Sequence, residues 1–305
     1  MRPHLLTNLF LLLLAIALGT FLFVDEIDQN GTGKLSHISA DSINQISIHH
    51  KQRDVIIEKH DQQWRLIEPI EIHANQFRIK TLLNILNTNS YVQYETEKLD
   101  LDKYGLDKAN TYIQFNDTRI DFGITNPINS YRYVKINNTL HLTDDHFYPL
   151  LSSQTGTLIA RELLPAGAKV NKLILPEHTF MRDDNGLWKS DKDISSDAIV
   201  ELIHQWKHKQ AFSVHDYMER ESLGEIQVYL ENRPTPINYS ITDSEPWLII
   251  ARPDIKLEYH FNIEDYDALL RPGAPKQIPE DIENNLENET LQVSPDEFID
   301  AIQAK

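Results

Sequence analysis

The side chains best placed to do chemistry stand on one helix-like stretch, His204-Gln205-Trp206-Lys207-His208. Histidines at i and i+4 lie one turn apart on one helical face and can bring two imidazoles to a single metal ion. The metalloprotease pattern requires Glu directly after the first His, where Gln205 stands, and no Asp or Glu is spaced to complete a ligand set. Solvated helix histidines are the better account. Asp100, Asp102 and Asp107, around Tyr104-Gly105-Leu106, lack the spacing of a calcium loop and are expected to form a solvated turn. Gly31-Thr32-Gly33-Lys34 looks like the end of a phosphate-binding loop, but Asp28 and Leu35 occupy the positions that need Gly and Ser or Thr. His49-His50 stands at a strand end and is expected on the surface.

Nucleophilic chemistry has no firmer basis. The chain has no cysteine, which removes thiol catalysis, thiolate metal sites and disulfides. No Gly-x-Ser-x-Gly elbow is present. Trp64 and Trp188 could stack on sugars, yet each precedes an apolar helical stripe, and core packing accounts for both. The expectation is a protein that is not an enzyme, with no catalytic or metal-binding residue and no cofactor.

The elements that hold these residues begin at an address. Leu5 to Val24 is an almost unbroken apolar run, and about twenty helical residues span roughly 30 Å, the thickness of a bilayer core. Arg2 precedes the run and Asp25, Glu26 and Asp28 follow it, so the positive-inside rule puts the N-terminus in the cytoplasm and the remainder outside. Ala15-Ile16-Ala17 fits a cleavage site, but Leu18 and Phe21 to Val24 continue the run past it, which favours an uncleaved anchor. The expected location is the inner membrane, crossed once through residues 5–24, with a periplasmic main domain. The net charge of −17 argues against nucleic-acid binding through phosphates and against a polybasic membrane patch.

With 305 residues, 41% hydrophobic and 25% charged, the chain has a globular composition and room for two domains. Residues 1–24 are the expected anchor and 25–42 a tether. A first α+β repeat, 43–152, has strands at Ile46–Ile48, Val55–Ile57 and Trp64–Ile67, then a helix with Ile79, Leu82, Leu83 and Leu86 at i, i+3, i+4 and i+7. A strand at Tyr91–Tyr94 and four short strands from Tyr112 to Leu142 follow, separated by turn residues. After a linker, 153–169, a second repeat, 170–271, shows the same order. Its helix carries Ile199, Leu202, Ile203 and Trp206, with Ser195 or Ser196 as cap. His141–Leu151 aligns without a gap on His260–Leu270. The expected fold class is therefore α+β: a transmembrane helix, then two duplicated lobes, each a mainly antiparallel sheet packed with one amphipathic helix. The tail, 272–305, is acidic and broken by prolines. It ends on a short helix signal, Ser294-Pro295-Asp296-Glu297, whose apolar face of Phe298, Ile299 and Ile302 is a candidate partner-docking face.

Several of these pieces resemble one family. Trp64 and Pro69, Ala74 at a helix start, Tyr104-Gly105-Leu106-Asp107, Phe122-Gly123, Pro127, Tyr133-Val134 and Ala160-Arg161-Glu162-Leu163-Leu164 are similar to the bacterial domain-of-unknown-function family numbered 4340. The resemblance covers roughly Ile46 to Leu164. It implies an uncharacterised envelope protein, of a kind often encoded beside ABC-transporter subunits and a gliding-motility-type auxiliary protein, with no established catalytic residue to carry over. The functional expectation is a non-enzymatic protein-interaction or accessory module, with a membrane transporter subunit or envelope protein as partner. The alternative is a periplasmic small-molecule or glycan-binding protein, and an unrecognised hydrolase ranks last.

Overall fold

A computed structural model describes residues 33–273. The first sheet grows from alternating sequence. In β2 (Gln45–His50), β3 (Arg53–His60) and β4 (Gln63–Glu68), every second side chain is buried: Ile46 and Ile48, Val55 and Ile57, Trp64 and Leu66. Period-two burial is what a strand produces when one face meets a core. Cross-strand pairing aligns these residues in rows. Leu66, Ile57, Ile46 and Phe115 form one row, and Val55, Ile48, Ile113, Ile120 and Ile136 the next.

Two-residue strands β1 (Gly33–Lys34) and β6 (Asn89–Ser90) pair with each other, and β5 (Ile72–His73) adds to β4. The rest of the first sheet is β7 (Val92–Glu95), β8 (Thr111–Phe115), β9 (Thr118–Thr125), β10 (Arg132–Ile136) and β11 (Thr139–Thr143). The nine strands run in the order β5-β4-β3-β2-β8-β9-β10-β11-β7. Helix α1 (Gln76–Leu83) packs on β4, and α2 (Tyr148–Leu151) follows β11.

The second sheet uses β12 (Val170–Ile174), β13 (Thr179–Arg182), β14 (Trp188–Ser190), β15 (Ser213–Asp216), β16 (Gly224–Leu230), β17 (Ile237–Asp243), β18 (Trp247–Arg252) and β19 (Leu257–Asn262). Its order is β14-β13-β12-β16-β17-β18-β19-β15. Leaving out β5, this is the first sheet's order element for element. Phe180, Leu173, Val228 and Ile237 make its central row. Helix α3 (Ser196–His208) buries Ile199, Leu202, Ile203 and Trp206. Its cap is Ser195, whose side chain accepts from Ala198 N at 3.3 Å. The Trp206 ring meets Tyr239 edge-on at 5.5 Å, and its Nε1 donates to the Leu269 carbonyl at 2.8 Å, at the end of α4 (Asp265–Leu270).

The expected fold class requires correction. Strand makes up 41% and helix 22% of the structure, arranged in three mostly antiparallel sheets, so the sheets define the class and helices are minor additions. The first amphipathic stripe shows why counting helices misled. α1 ends at Leu83 and the chain tightens into a 3₁₀ turn at Asn84–Asn87. Three residues per turn in place of 3.6 rotates the stripe. Ile85 is therefore buried beside the expected Ile79, Leu82 and Leu86, while Leu83 is only half-buried. Among the described residues no helix is long and apolar enough to cross a membrane. The apolar run at 5–24 lies outside the described residues, as do Phe298, Ile299 and Ile302. Within the expected tether, Gly33–Lys34 is paired strand, and Leu35 is buried at 4% exposure.

The chain divides into two compact units. Among the described residues, one takes in 33–161, Phe212–Glu219 and Arg252–Tyr259, the other Glu162–Ala211, Arg220–Ala251 and 260–273.

Candidate functional site

The outer face of the first sheet, opposite the isoleucine rows, carries the most developed surface in the first unit. Its organiser is the segment between β7 and β8. This segment turns twice as 3₁₀ helix, at Thr96–Lys98 and Leu101–Tyr104, and lays Leu99, Leu101 and Leu106 on Leu140 and Leu142 of β11. Two glycines permit the crossing. Gly105 ends the second turn at φ +66°, a left-handed conformation that Gly adopts without a Cβ penalty. Beneath it, a Cβ on Gly123 would stand 2.1 Å from the Tyr104 carbonyl oxygen, so only a bare Cα fits. The Tyr104-Gly105-Leu106 and Phe122-Gly123 runs are thus two sides of one close approach.

On one flank of this cover the tyrosines gather. Tyr91 and Tyr131 stack at 4.4 Å, and Tyr104 meets Tyr133 at 4.9 Å. The Tyr91 hydroxyl donates to Asp144 at 3.0 Å, and that bond pushes its ionisation above the ordinary phenol value. Burial does the same for Tyr133. The β9–β10 loop beside them is fixed by its own side chains. Asn126 Oδ1 accepts from Ile128 N at 2.9 Å and Asn129 Oδ1 from Tyr131 N at 3.1 Å. The loop presents Ile128 at 91% exposure, with Ile124 and Tyr94 half exposed nearby in sequence and strand order. Arg132 braces the loop's base. It forks onto Asp145, donates to the Gly123 carbonyl and lies 3.6 Å over the Tyr148 ring.

On the other flank the register lines up a polar ladder. Asp54, His49, Tyr112, Asp121 and Lys135 are successive cross-strand partners from β3 to β10. His49 Nδ1 meets Asp54 Oδ1 at 2.7 Å, and its ring stacks on Tyr112 at 4.8 Å. The Arg119 guanidinium lies 3.7 Å over Tyr112, a cation–π contact, and its Nε donates to Asp121 at 2.7 Å. Lys135 Nζ reaches the other oxygen of Asp121 at 3.1 Å. The buried Asp121 carboxylate is therefore held by two cations. A cleft of about 430 Å³ opens here, lined by Leu106, Asp107, Lys108, Asn110, Asp117, Arg119, Asp121, Lys135 and Asn137 among others.

On the inner face of β11, His141 is buried at 4% exposure, with Nδ1 2.9 Å from Ser90 Oγ and no partner for Nε2 among the described residues. Burial holds its pKa down to about 4.

The residues singled out by sequence do not converge. The His204 and His208 rings lie tilted with centroids 4.3 Å apart, but His208 Nδ1 faces the His204 carbonyl at 2.9 Å. Among the described residues no group of three or more His, Cys, Asp or Glu is arranged to hold a metal ion. Asp100 pairs with Lys103 at 3.6 Å. Gly33 and Lys34 pair with β6, and Lys34 Nζ reaches Asn87 at 3.3 Å. Trp64 and Trp188 are buried, at 6% and 8% exposure. His49, expected on the surface, lies on the outer face of the sheet with its side chain 27% exposed, between Asp54 and Tyr112; His50 is half-buried, its Nδ1 2.8 Å from Thr111 Oγ1. The missed signal was positional, since the ladder appears only once strand register is known. No family model, curated protein or solved structure matches this chain.

Proposed function

We propose that this chain is a periplasmic accessory module, held at the inner membrane by its apolar N-terminal run, that docks a partner protein through the tyrosine-lined end of its first sheet. One observation carries the reading: a loop pinned by Asn126 and Asn129 holds Ile128 at 91% exposure beside stacked tyrosines. Tyrosines supply large contact area at low entropy cost, and a pinned loop has little ordering entropy left to lose on binding. The charged groups around it are already engaged, Arg132 with Asp145 and Asp144 with the Tyr91 hydroxyl, which suits a surface for contact. A membrane transporter subunit as partner rests on the resemblance to family 4340 alone.

The test is affinity capture from detergent-solubilised membranes with the full-length chain and its Ile128→Asp variant. Ile128 makes no core contact, so the variant should unfold at the wild-type temperature. The reading expects one membrane protein recovered with the wild type and lost with Ile128→Asp. Equal recovery by both, or none by either, would overturn it.

A further inference from the structure

The polar cleft beside the Tyr104–Leu106 turn lies across the cover from the tyrosines, and partner docking leaves it unused. Its volume, about 430 Å³, falls within the range of small-molecule sites, roughly 300–1,000 Å³. Its lining is unlike an ordinary apolar pocket. Apart from Leu106 and Ala109 the side chains are charged or amide: Lys108, Arg119 and Lys135 against Asp107, Asp117 and Asp121, with Asn110 and Asn137 between them.

What the cleft offers depends on which groups are already engaged. Asp121 is buried and accepts from both Arg119 Nε and Lys135 Nζ, so it has little capacity left for a ligand. Arg119 is held flat on Tyr112 with its Nε engaged, and its two terminal nitrogens make no hydrogen bond among the described residues. A guanidinium fixed in that way is preorganised to donate to a carboxylate. The Asp121 group thus presents a net positive end. Asp107, Lys108 and Asp117 are exposed and make no ion pair among the described residues. Two of these three are carboxylates, free to accept from an ammonium group.

A simple anion would be met by Asp107 and Asp117, and a simple cation by Arg119, Lys108 and Lys135. A neutral sugar wants an open aromatic face, and Tyr112 is taken up by Arg119 and stacked on His49. The ligand that satisfies both signs carries both. We infer that this cleft binds a small zwitterion of the α-amino acid class, its carboxylate on Arg119 and its ammonium on Asp117 or Asp107. The inference stands independently of partner docking.

Isothermal titration calorimetry on the full-length chain in detergent tests it, with glycine and L-alanine as probes and acetate, methylammonium and glucose as controls. The amino acids should give saturable binding at least about tenfold tighter than any control. Arg119→Gln should weaken that binding by about tenfold or more. Removing Arg119 leaves Asp121 with one cation and could disturb the fold, so Asp117→Asn and Lys108→Gln serve beside it. Both alter exposed groups without partners, and Asp117→Asn should narrow the gap between L-alanine and acetate. No saturable amino-acid binding up to about 10 mM, acetate or glucose binding as tightly, or wild-type affinity in all three variants would overturn the inference.

Discussion

Between β7 and β8 the first half folds two 3₁₀ turns over Leu140 and Leu142, and the outer face of its sheet becomes a built surface. Between β15 and β16, at the matching place in the second half, Tyr217–Leu223 carries no helical turn and leaves Met218 and Leu223 62% and 61% exposed. The helices differ in the opposite sense. α1 stops after eight residues and finishes as a 3₁₀ turn, while α3 runs for 13 and buries its whole stripe, Trp206 included. One strand order therefore supports two allocations of apolar side chains. The second half concentrates them under its helix, whereas the first spends part of them on a cover for its outer face, and that cover separates the tyrosine end from the polar cleft.

The largest effect should come from the helix that does the most packing. Trp206→Ala removes a ring that is 1% exposed, together with its hydrogen bond to Leu269, and should cost about 3–5 kcal/mol. Leu83→Ala, at the half-buried end of α1, should cost well under half of that. Urea unfolding of both variants measures the contrast, and equal losses would erase the difference drawn between the helices.

His141, in the first half, is a buried, half-satisfied ring; its aligned counterpart, His260, is only partly buried. The folded ring titrates near 4 and the unfolded one near 6.5, so the unfolded chain takes up a proton that the fold refuses. Stability is full above about pH 6.5 and falls as the pH drops toward 4, by roughly 3 kcal/mol at the lower end. Urea midpoints between pH 7 and pH 4.5 should fall steeply for the wild type and less for His141→Gln. Parallel slopes would show that another group carries the acid response.

Gly123→Ala is a smaller change aimed at the cover itself. The added methyl would meet the Tyr104 carbonyl oxygen at 2.1 Å, so the turn must lift, at a cost of about 1–3 kcal/mol. Amide exchange should accelerate in Leu99–Asn110 and leave α3 unchanged. Unaltered exchange in that segment would mean that the turn does not rest on Gly123.

Much of the strand pattern is legible in the sequence because burial alternates along it. Ile46 and Ile48, or Val55 and Ile57, announce a one-sided strand without any partner being known. Ser195 as the cap of α3 is equally local. The shift in α1 is harder to see, since a 3₁₀ finish leaves the same leucines in the sequence and changes only which of them point inward. The candidate site lies further still from local pattern. Asp121 gains meaning only when register sets Tyr112 on one side of it and Lys135 on the other, and a slip of one residue would turn all three to the opposite face. Gly123 is a similar case, being an unremarkable strand glycine until Tyr104 is placed above it.

The proposed partner meets the outer end of the first sheet and not the second half. Each half has an exposed aliphatic residue on a hairpin: Ile128 after β9 and Leu187 before β14, at 91% and 65% exposure. Only Ile128 stands beside stacked tyrosines. A photoreactive residue placed at 128 or at 187 in the full-length chain, irradiated in cells, compares them directly. Docking at the first sheet should give one discrete crosslinked partner from position 128 and none from 187. The same adduct from both positions, or an adduct from 187 alone, would contradict it.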